Sequence, residues 1–119
     1  MNMASMFRLA KNISKISNHR YKMGAVIVKN GNVISVGTNQ LKTHPEAPRN
    51  GLHCEIHAIK CSGKYDLKGS SIFVYRETRK GKIAKARPCI YCMEELKKKG
   101  FKSIFYTIDE YPFFESEKI

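Results

Sequence analysis

Apolar residues return at three- and four-residue intervals at the start of the chain: Met3, Met6, Phe7, Ala10 and Ile13, with Arg8, Lys11, Asn12 and Lys15 between them. That spacing gives a helix one apolar stripe and predicts a first helix within residues 1–18, ending near the turn-prone pair Ser17-Asn18. The period then shortens. Gly24-Ala25-Val26-Ile27-Val28 and Val33-Ile34-Ser35-Val36 flank Lys29-Asn30-Gly31-Asn32, and Asn-Gly between two apolar runs is the strongest short signal for a β-hairpin. Residues 38–52, with Pro45, Pro48 and Gly51, read as a long loop, because proline has no amide hydrogen to give to a helix or a central strand. A second helix is expected from about His53, with Glu55, Ala58 and Ile59 on related faces, closed by Gly63 and Gly69-Ser70-Ser71.

Ile72-Phe73-Val74-Tyr75 reads as a buried strand, followed by an irregular basic stretch over residues 76–87. Pro88 then stands where a third helix starts, Glu94 and Glu95 lie early in it, Lys97 to Lys99 fill its last turn and Gly100 stops it. This is the charge and cap asymmetry that the helix dipole favours. Ser103-Ile104-Phe105-Tyr106-Thr107-Ile108 is a final clear strand, with Tyr111-Pro112-Phe113-Phe114 as a short addition at a sheet edge. Strand-helix-strand repeats need crossovers, so the order predicts an α/β fold: a three-layer α-β-α sandwich around a central mixed sheet of four to five strands. With 119 residues and no repeat or linker, residues 1–119 form a single domain.

Charge adds a partner class. The formal net charge is +12, from 22 Lys+Arg against 10 Asp+Glu. Residues 1–108 hold 21 basic and 6 acidic side chains, whereas residues 109–119 form an acidic tail with Asp109, Glu110, Glu115 and Glu117 against Lys118 alone. Such a body attracts phosphates on a nucleotide or a nucleic acid, although solubility alone also accounts for it. The first 45 residues carry no acid, as organelle transit peptides do, but they run unbroken into a strand pattern. No secretory or membrane-spanning run is present, so a soluble protein in a reducing, cytoplasmic setting is expected. There a Cys-x-x-Cys binds metal or does redox chemistry more often than it forms a structural disulfide.

Two motifs carry the chemistry: His53-Cys54-Glu55 opening the second helix and Pro88-Cys89-Ile90-Tyr91-Cys92 opening the third. Three residues apart on a helix, Cys89 and Cys92 share one face and can grip one metal, and a helix N-terminus lowers their thiol pKa. With His53 as third ligand, a tetrahedral Zn²⁺ keeps one position open, which separates a catalytic site from a structural one. Two thiolates blunt the metal's acidifying power, so a base is needed, and Glu55 can reach the same pocket because His53 lies at the loop boundary.

His-x-Glu followed by Pro-Cys-x-x-Cys is the general signature of zinc deaminases. The chain resembles the cytidine deaminase-like superfamily over roughly residues 4–108, especially the deoxycytidylate deaminase and tRNA adenosine deaminase branches. The hairpin with Asn30-Gly31, and Gly37-Thr38-Asn39 after it, share in the resemblance. It implies that His53, Cys89 and Cys92 hold the zinc, that Glu55 shuttles protons while water displaces an exocyclic amine as ammonia, and that Asn39 contacts the substrate's sugar or base. Cys54 stands where the family usually has Ala, and reads as a small buried residue or an alternative ligand. His57 stands where the deoxycytidylate branch often has Asn and is shared with the deaminase domain of riboflavin biosynthesis. The basic stretch before Pro88 exceeds the family's usual link, and the chain ends about one helix short of longer relatives.

The expected activity is conversion of cytosine to uracil on free (deoxy)cytidine nucleotides or nucleosides, by a homo-oligomer. The alternatives are a deaminase of polynucleotides, acting on tRNA adenosine or single-stranded cytosine, and a non-catalytic zinc-stabilised module that binds nucleic acid. His19 and His44 fit no metal spacing and read as ordinary loop histidines.

Overall fold

The computed structural model describes residues 2–19, 21–40 and 53–119. The opening stripe forms helix α1 (Met3–Ser14), whose Asn2 side chain accepts a hydrogen bond from the Ser5 amide and caps the first turn. The helix stops short of the expected Ser17-Asn18. Ser17 is drawn out of helical register because its hydroxyl bonds to both the backbone and side-chain oxygens of Asn39, at 2.7 and 2.6 Å. Strands β1 (Lys22–Lys29) and β2 (Asn32–Thr38) pair antiparallel. Between them Asn30 and Gly31 both take positive φ, 52° and 77°, as a two-residue hairpin turn requires.

The remaining elements are α2 (Cys54–Cys61), β3 (Ser71–Glu77), α3 (Ile90–Lys98), β4 (Ser103–Thr107) and β5 (Phe114–Lys118). The strands form one mixed sheet in the order β2-β1-β3-β4-β5. β1 runs antiparallel to β2 and β3, β4 is parallel to β3 across the α3 crossover, and β5 returns antiparallel. The expected three-layer α-β-α sandwich is therefore present, with five strands. From residue 41 onward the expected long loop, His44 included, lies outside the described residues.

Strand alternation sorts the core into two halves. On one face Val26, Phe73 and Tyr75 pack with Met6 and Ala10 of α1, and Phe73 stacks on Phe105 at 4.5 Å. On the other, Ala25, Ile27, Ile72, Val74, Ile104 and Tyr106 meet Cys54, Ala58 and Leu96 of α2 and α3. Both faces need a backbone without a side chain at closest approach. A Cβ on Gly24 would lie 2.1 Å from the Ala10 carbonyl oxygen, and one on Gly37 would lie 2.3 Å from the Ala58 nitrogen.

Two stretches differ from expectation. The edge strand lies at Phe114–Lys118, not over residues 111–114, so Glu115 and Glu117 of the acidic tail are strand residues. The basic stretch after β3 folds back on itself: Glu77 bridges Ile83, and the Thr78 amide donates to the Lys82 carbonyl at 2.8 Å. Gly81, at φ 80°, makes that reversal cheap. Among the described residues no helix is long and apolar enough to cross a membrane.

Candidate metal centre

Because β1 is antiparallel to both neighbours, β2 and β3 run the same way and end on the same edge of the sheet, with Thr38 and Tyr75 both paired to Gly24. The helices that follow these strands therefore begin at that edge. His53 is the N-cap of α2 and Cys89 the N-cap of α3, each with extended backbone and neither making a side-chain cap bond. Serine or aspartate at such a position stabilises a helix by about 1 kcal/mol over a non-capping residue. Here both caps are instead turned toward each other.

His53 Nδ1 lies 3.2 Å from Cys92 Sγ and 3.7 Å from Cys89 Sγ, and the three donor atoms fall within 4.8 Å of one another. Zinc at about 2.3 Å from sulfur and about 2.0–2.1 Å from nitrogen, in tetrahedral geometry, sets its ligand atoms about 3.5–3.8 Å apart. The trio fits that metal. Cys92 is fully buried and Cys89 exposed, so one side of the cluster faces the core and the other opens outward.

Burial holds the Cys92 thiol well above its usual pKa range, and the Glu55 carboxylate and Cys89 push it further. Desolvation penalises the charged form of a buried thiol. This sulfur becomes a thiolate when a cation joins it. Glu55 itself follows His53 by two residues on α2.

Glu55, in the first turn of α2, is only 3% exposed. A carboxylate so buried is costly unless partnered. The fully buried Cys54 donates its thiol hydrogen to Glu55 Oε1 at 3.0 Å. Burial, then Glu55, pushes the pKa of that thiol up. Cys54 was legible as a small buried residue but not as a donor to Glu55. His57 Nδ1 accepts the Thr38 amide at 3.0 Å and ties α2 to the end of β2.

Asn39 stands just beyond Thr38, at the same sheet edge, and its polar atoms face the protein. Its Oδ1 accepts from Ser17 Oγ at 2.6 Å and from the Met23 amide at 3.0 Å, while Nδ2 donates to the Tyr21 carbonyl at 2.6 Å. The structure thus brings His53, Cys89 and Cys92 together, sets Glu55 in the first turn of the helix that His53 caps, and ties Asn39 into the join of β1 and β2. In the basic stretch Arg79, Lys80, Lys82 and Lys85 are exposed. Arg76 lies over the Tyr21 ring at 5.3 Å, and Arg87 is engaged by Glu117 of β5.

A mixed sheet presenting a His/Cys/Cys trio from two helix starts, with a buried glutamate two residues after the histidine, is the arrangement of a zinc-dependent hydrolytic deaminase. The chain belongs to the cytidine and deoxycytidylate deaminase family, whose zinc-binding region matches residues 2–108. Among solved structures it is similar to the dCMP deaminase of cyanophage S-TIM5 in complex with dCMP and dUMP, at 22% identity over 92% of this chain and 85% of that one, TM-score 0.70. It is also similar to the cytidine deaminase of Burkholderia pseudomallei, at 19% identity over 99% and 93% of the two chains, TM-score 0.73. The diaminohydroxyphosphoribosylaminopyrimidine deaminase/5-amino-6-(5-phosphoribosylamino)uracil reductase of Thermotoga maritima matches at 21% identity over 92% of this chain and 30% of that one, TM-score 0.60. At such identities the likeness speaks for the fold. No match was found among curated proteins.

Proposed function

We propose that the chain deaminates the cytosine of free (deoxy)cytidine nucleotides or nucleosides to uracil, with His53, Cys89 and Cys92 as zinc ligands and Glu55 as proton carrier. The observation that carries this reading is the His/Cys/Cys trio, with the buried Glu55 in the first turn of the helix that His53 caps. Zinc, when bound, supplies the Lewis acid that acidifies the attacking water. Glu55 takes a proton from that water as it adds to the amine-bearing ring carbon, delivers it to the ring nitrogen, and moves a second proton to the departing amine. Water and cytosine thus become uracil and ammonia. The Cys54 thiol orients the carboxylate through Oε1. Asn39, whose polar atoms are engaged by Ser17, Met23 and Tyr21, would serve the substrate's sugar or base chiefly by fixing the join of β1 and β2.

The small-substrate reading is supported by the family's naming for cytidine and deoxycytidylate and by the dCMP and dUMP seen in the cyanophage enzyme. The exposed Arg79, Lys80, Lys82 and Lys85 suit a substrate phosphate. The net charge of +12 favours a second reading in which the substrate is a polynucleotide. The proposal includes a reducing, cytoplasmic setting in which the four cysteines stay reduced, and self-association of the chain.

The test is ammonia release by the zinc-loaded protein against cytidine, deoxycytidine, their monophosphates, a single-stranded cytosine oligomer and a tRNA anticodon stem, each at two salt concentrations. We expect turnover of a monomeric substrate with shallow salt dependence. Turnover confined to the polymers, with activity falling steeply in salt, would replace this reading with the second.

A further inference from the structure

Arg87 precedes the ligand Cys89 by two residues, with Pro88 between them, so the backbone entering α3 has no amide hydrogen at its last step. Its guanidinium meets the Glu117 carboxylate with two bonds, Nε to Oε2 at 2.7 Å and Nη2 to Oε1 at 3.1 Å. Glu117 is itself fixed from below. The Tyr106 hydroxyl, from a β4 side chain 2% exposed, shares its hydrogen between Glu117 Oε2 at 2.6 Å and Glu115 Oε2 at 2.9 Å. Strand alternation puts Glu115 and Glu117 on the sheet face that carries Tyr106, α2 and α3, while Phe114 turns to the opposite face, 5.8 Å from the Phe7 ring. The backbone is stitched alongside, with the Ala86 amide donating to the Thr107 carbonyl and Thr107 Oγ1 to the Ala84 carbonyl, at 2.9 and 2.8 Å.

We propose that β5 braces the metal centre: the Arg87–Glu117 clasp, seated on Tyr106, fixes the entry into α3 and with it the position of Cys89. Cys89 needs such support because it is exposed and, as an N-cap, makes no side-chain cap bond. The brace comes from beyond residue 108, where the family match ends. Partly exposed ion pairs contribute about 0–1 kcal/mol to stability, so its value lies in geometry rather than in folding energy. Arg87 and Glu117 are positioning residues, acting on the metal through Cys89.

This inference rests on the zinc assignment, and the experiment separates the two. Zinc-loaded wild type, Glu117→Gln, Arg87→Gln and the double variant are exposed to an excess of a chromophoric chelator, and the rate of zinc loss is followed. Loss of a hydrogen-bonding partner to a metal ligand weakens zinc binding about 10- to 100-fold. The clasp acts one step further out, so each single variant should lose zinc about fivefold to tenfold faster. The double variant should match the singles, because both changes remove the same contact. Arg87→Lys, which keeps the charge but not the fork, should fall between wild type and Arg87→Gln. A Co²⁺-substituted sample should show altered thiolate charge-transfer bands in the variants, while the thermal midpoint shifts little. Zinc loss at the wild-type rate in both single variants, or rates that add in the double, would overturn the brace. Failure of the wild type to take up zinc, or retention of zinc by His53→Ala, would instead overturn the assignment of the metal site.

Discussion

The two helix starts that converge on the metal are held by opposite means. The first turn of α2 is inside: Cys54, Glu55 and Ile56 are 0%, 3% and 2% exposed behind a half-buried His53, and the His57–Thr38 bond fastens the helix to β2. At the start of α3 burial alternates with exposure, Pro88 and Cys92 being buried while Cys89 is exposed and Ile90 77% exposed, and a surface clasp from β5 adds to what burial supplies. The division suits the roles proposed for the two motifs. A carboxylate that exchanges protons benefits from a dry, fixed setting, whereas the open side of the cluster is where a substrate can enter.

This contrast predicts that damage to each side reads out differently. The largest effect is expected from Glu55→Gln, which keeps shape and hydrogen-bonding capacity but cannot carry the proton. The catalytic rate should fall about 10²- to 10⁴-fold, with zinc content by metal analysis unchanged. Loss of zinc in step with activity would make Glu55 a structural member of the buried side. Next comes Gly37→Ala, where the added methyl meets the Ala58 backbone nitrogen at 2.3 Å and the neighbouring Cys54 oxygen at 2.5 Å. Backbone atoms cannot step aside as a side chain can. Overpacking of this kind costs about 1–3 kcal/mol or more, measurable as a lower urea midpoint. An unchanged midpoint would show that α2 is not seated on β2 as tightly as the burial of its first turn implies.

The same contrast explains what could be read from the sequence. The cluster of His53, Cys89 and Cys92 was legible because metal chemistry restricts residue type and spacing, and the hairpin because Asn30-Gly31 suits a turn that few other pairs do. Helix α1 was legible as an element but not in its end. Ser17 leaves the helix for a bond to Asn39, 22 residues away, and no local pattern reports that. The brace was hidden by its charge, since Asp109, Glu110, Glu115 and Glu117 together look like a solvated tail. The signal was nonetheless there. In Phe114-Glu115-Ser116-Glu117-Lys118 the acids recur every second residue, which is strand alternation with its acidic face toward Tyr106 and Arg87.

The smallest expected effect belongs to the acid side of that clasp. The Arg87 guanidinium, and after it the Tyr106 hydroxyl, hold the Glu117 carboxyl down from the usual 4.5 to about 2. A folded carboxyl with a lower pKa than its unfolded counterpart adds stability that is complete above the unfolded value and is lost as pH falls through the folded one. The window therefore runs from about pH 4.5 down to about 2. Both side chains are partly exposed, 43% for Arg87 and 34% for Glu117, so water and salt screen the pair and the slope should be shallow. Urea midpoints measured across this window should fall more steeply in wild type than in Glu117→Gln, and added salt should narrow the difference. Equal slopes would mean that the clasp does not persist in solution, leaving the entry into α3 to be ordered by its backbone bonds to Thr107 and by the metal.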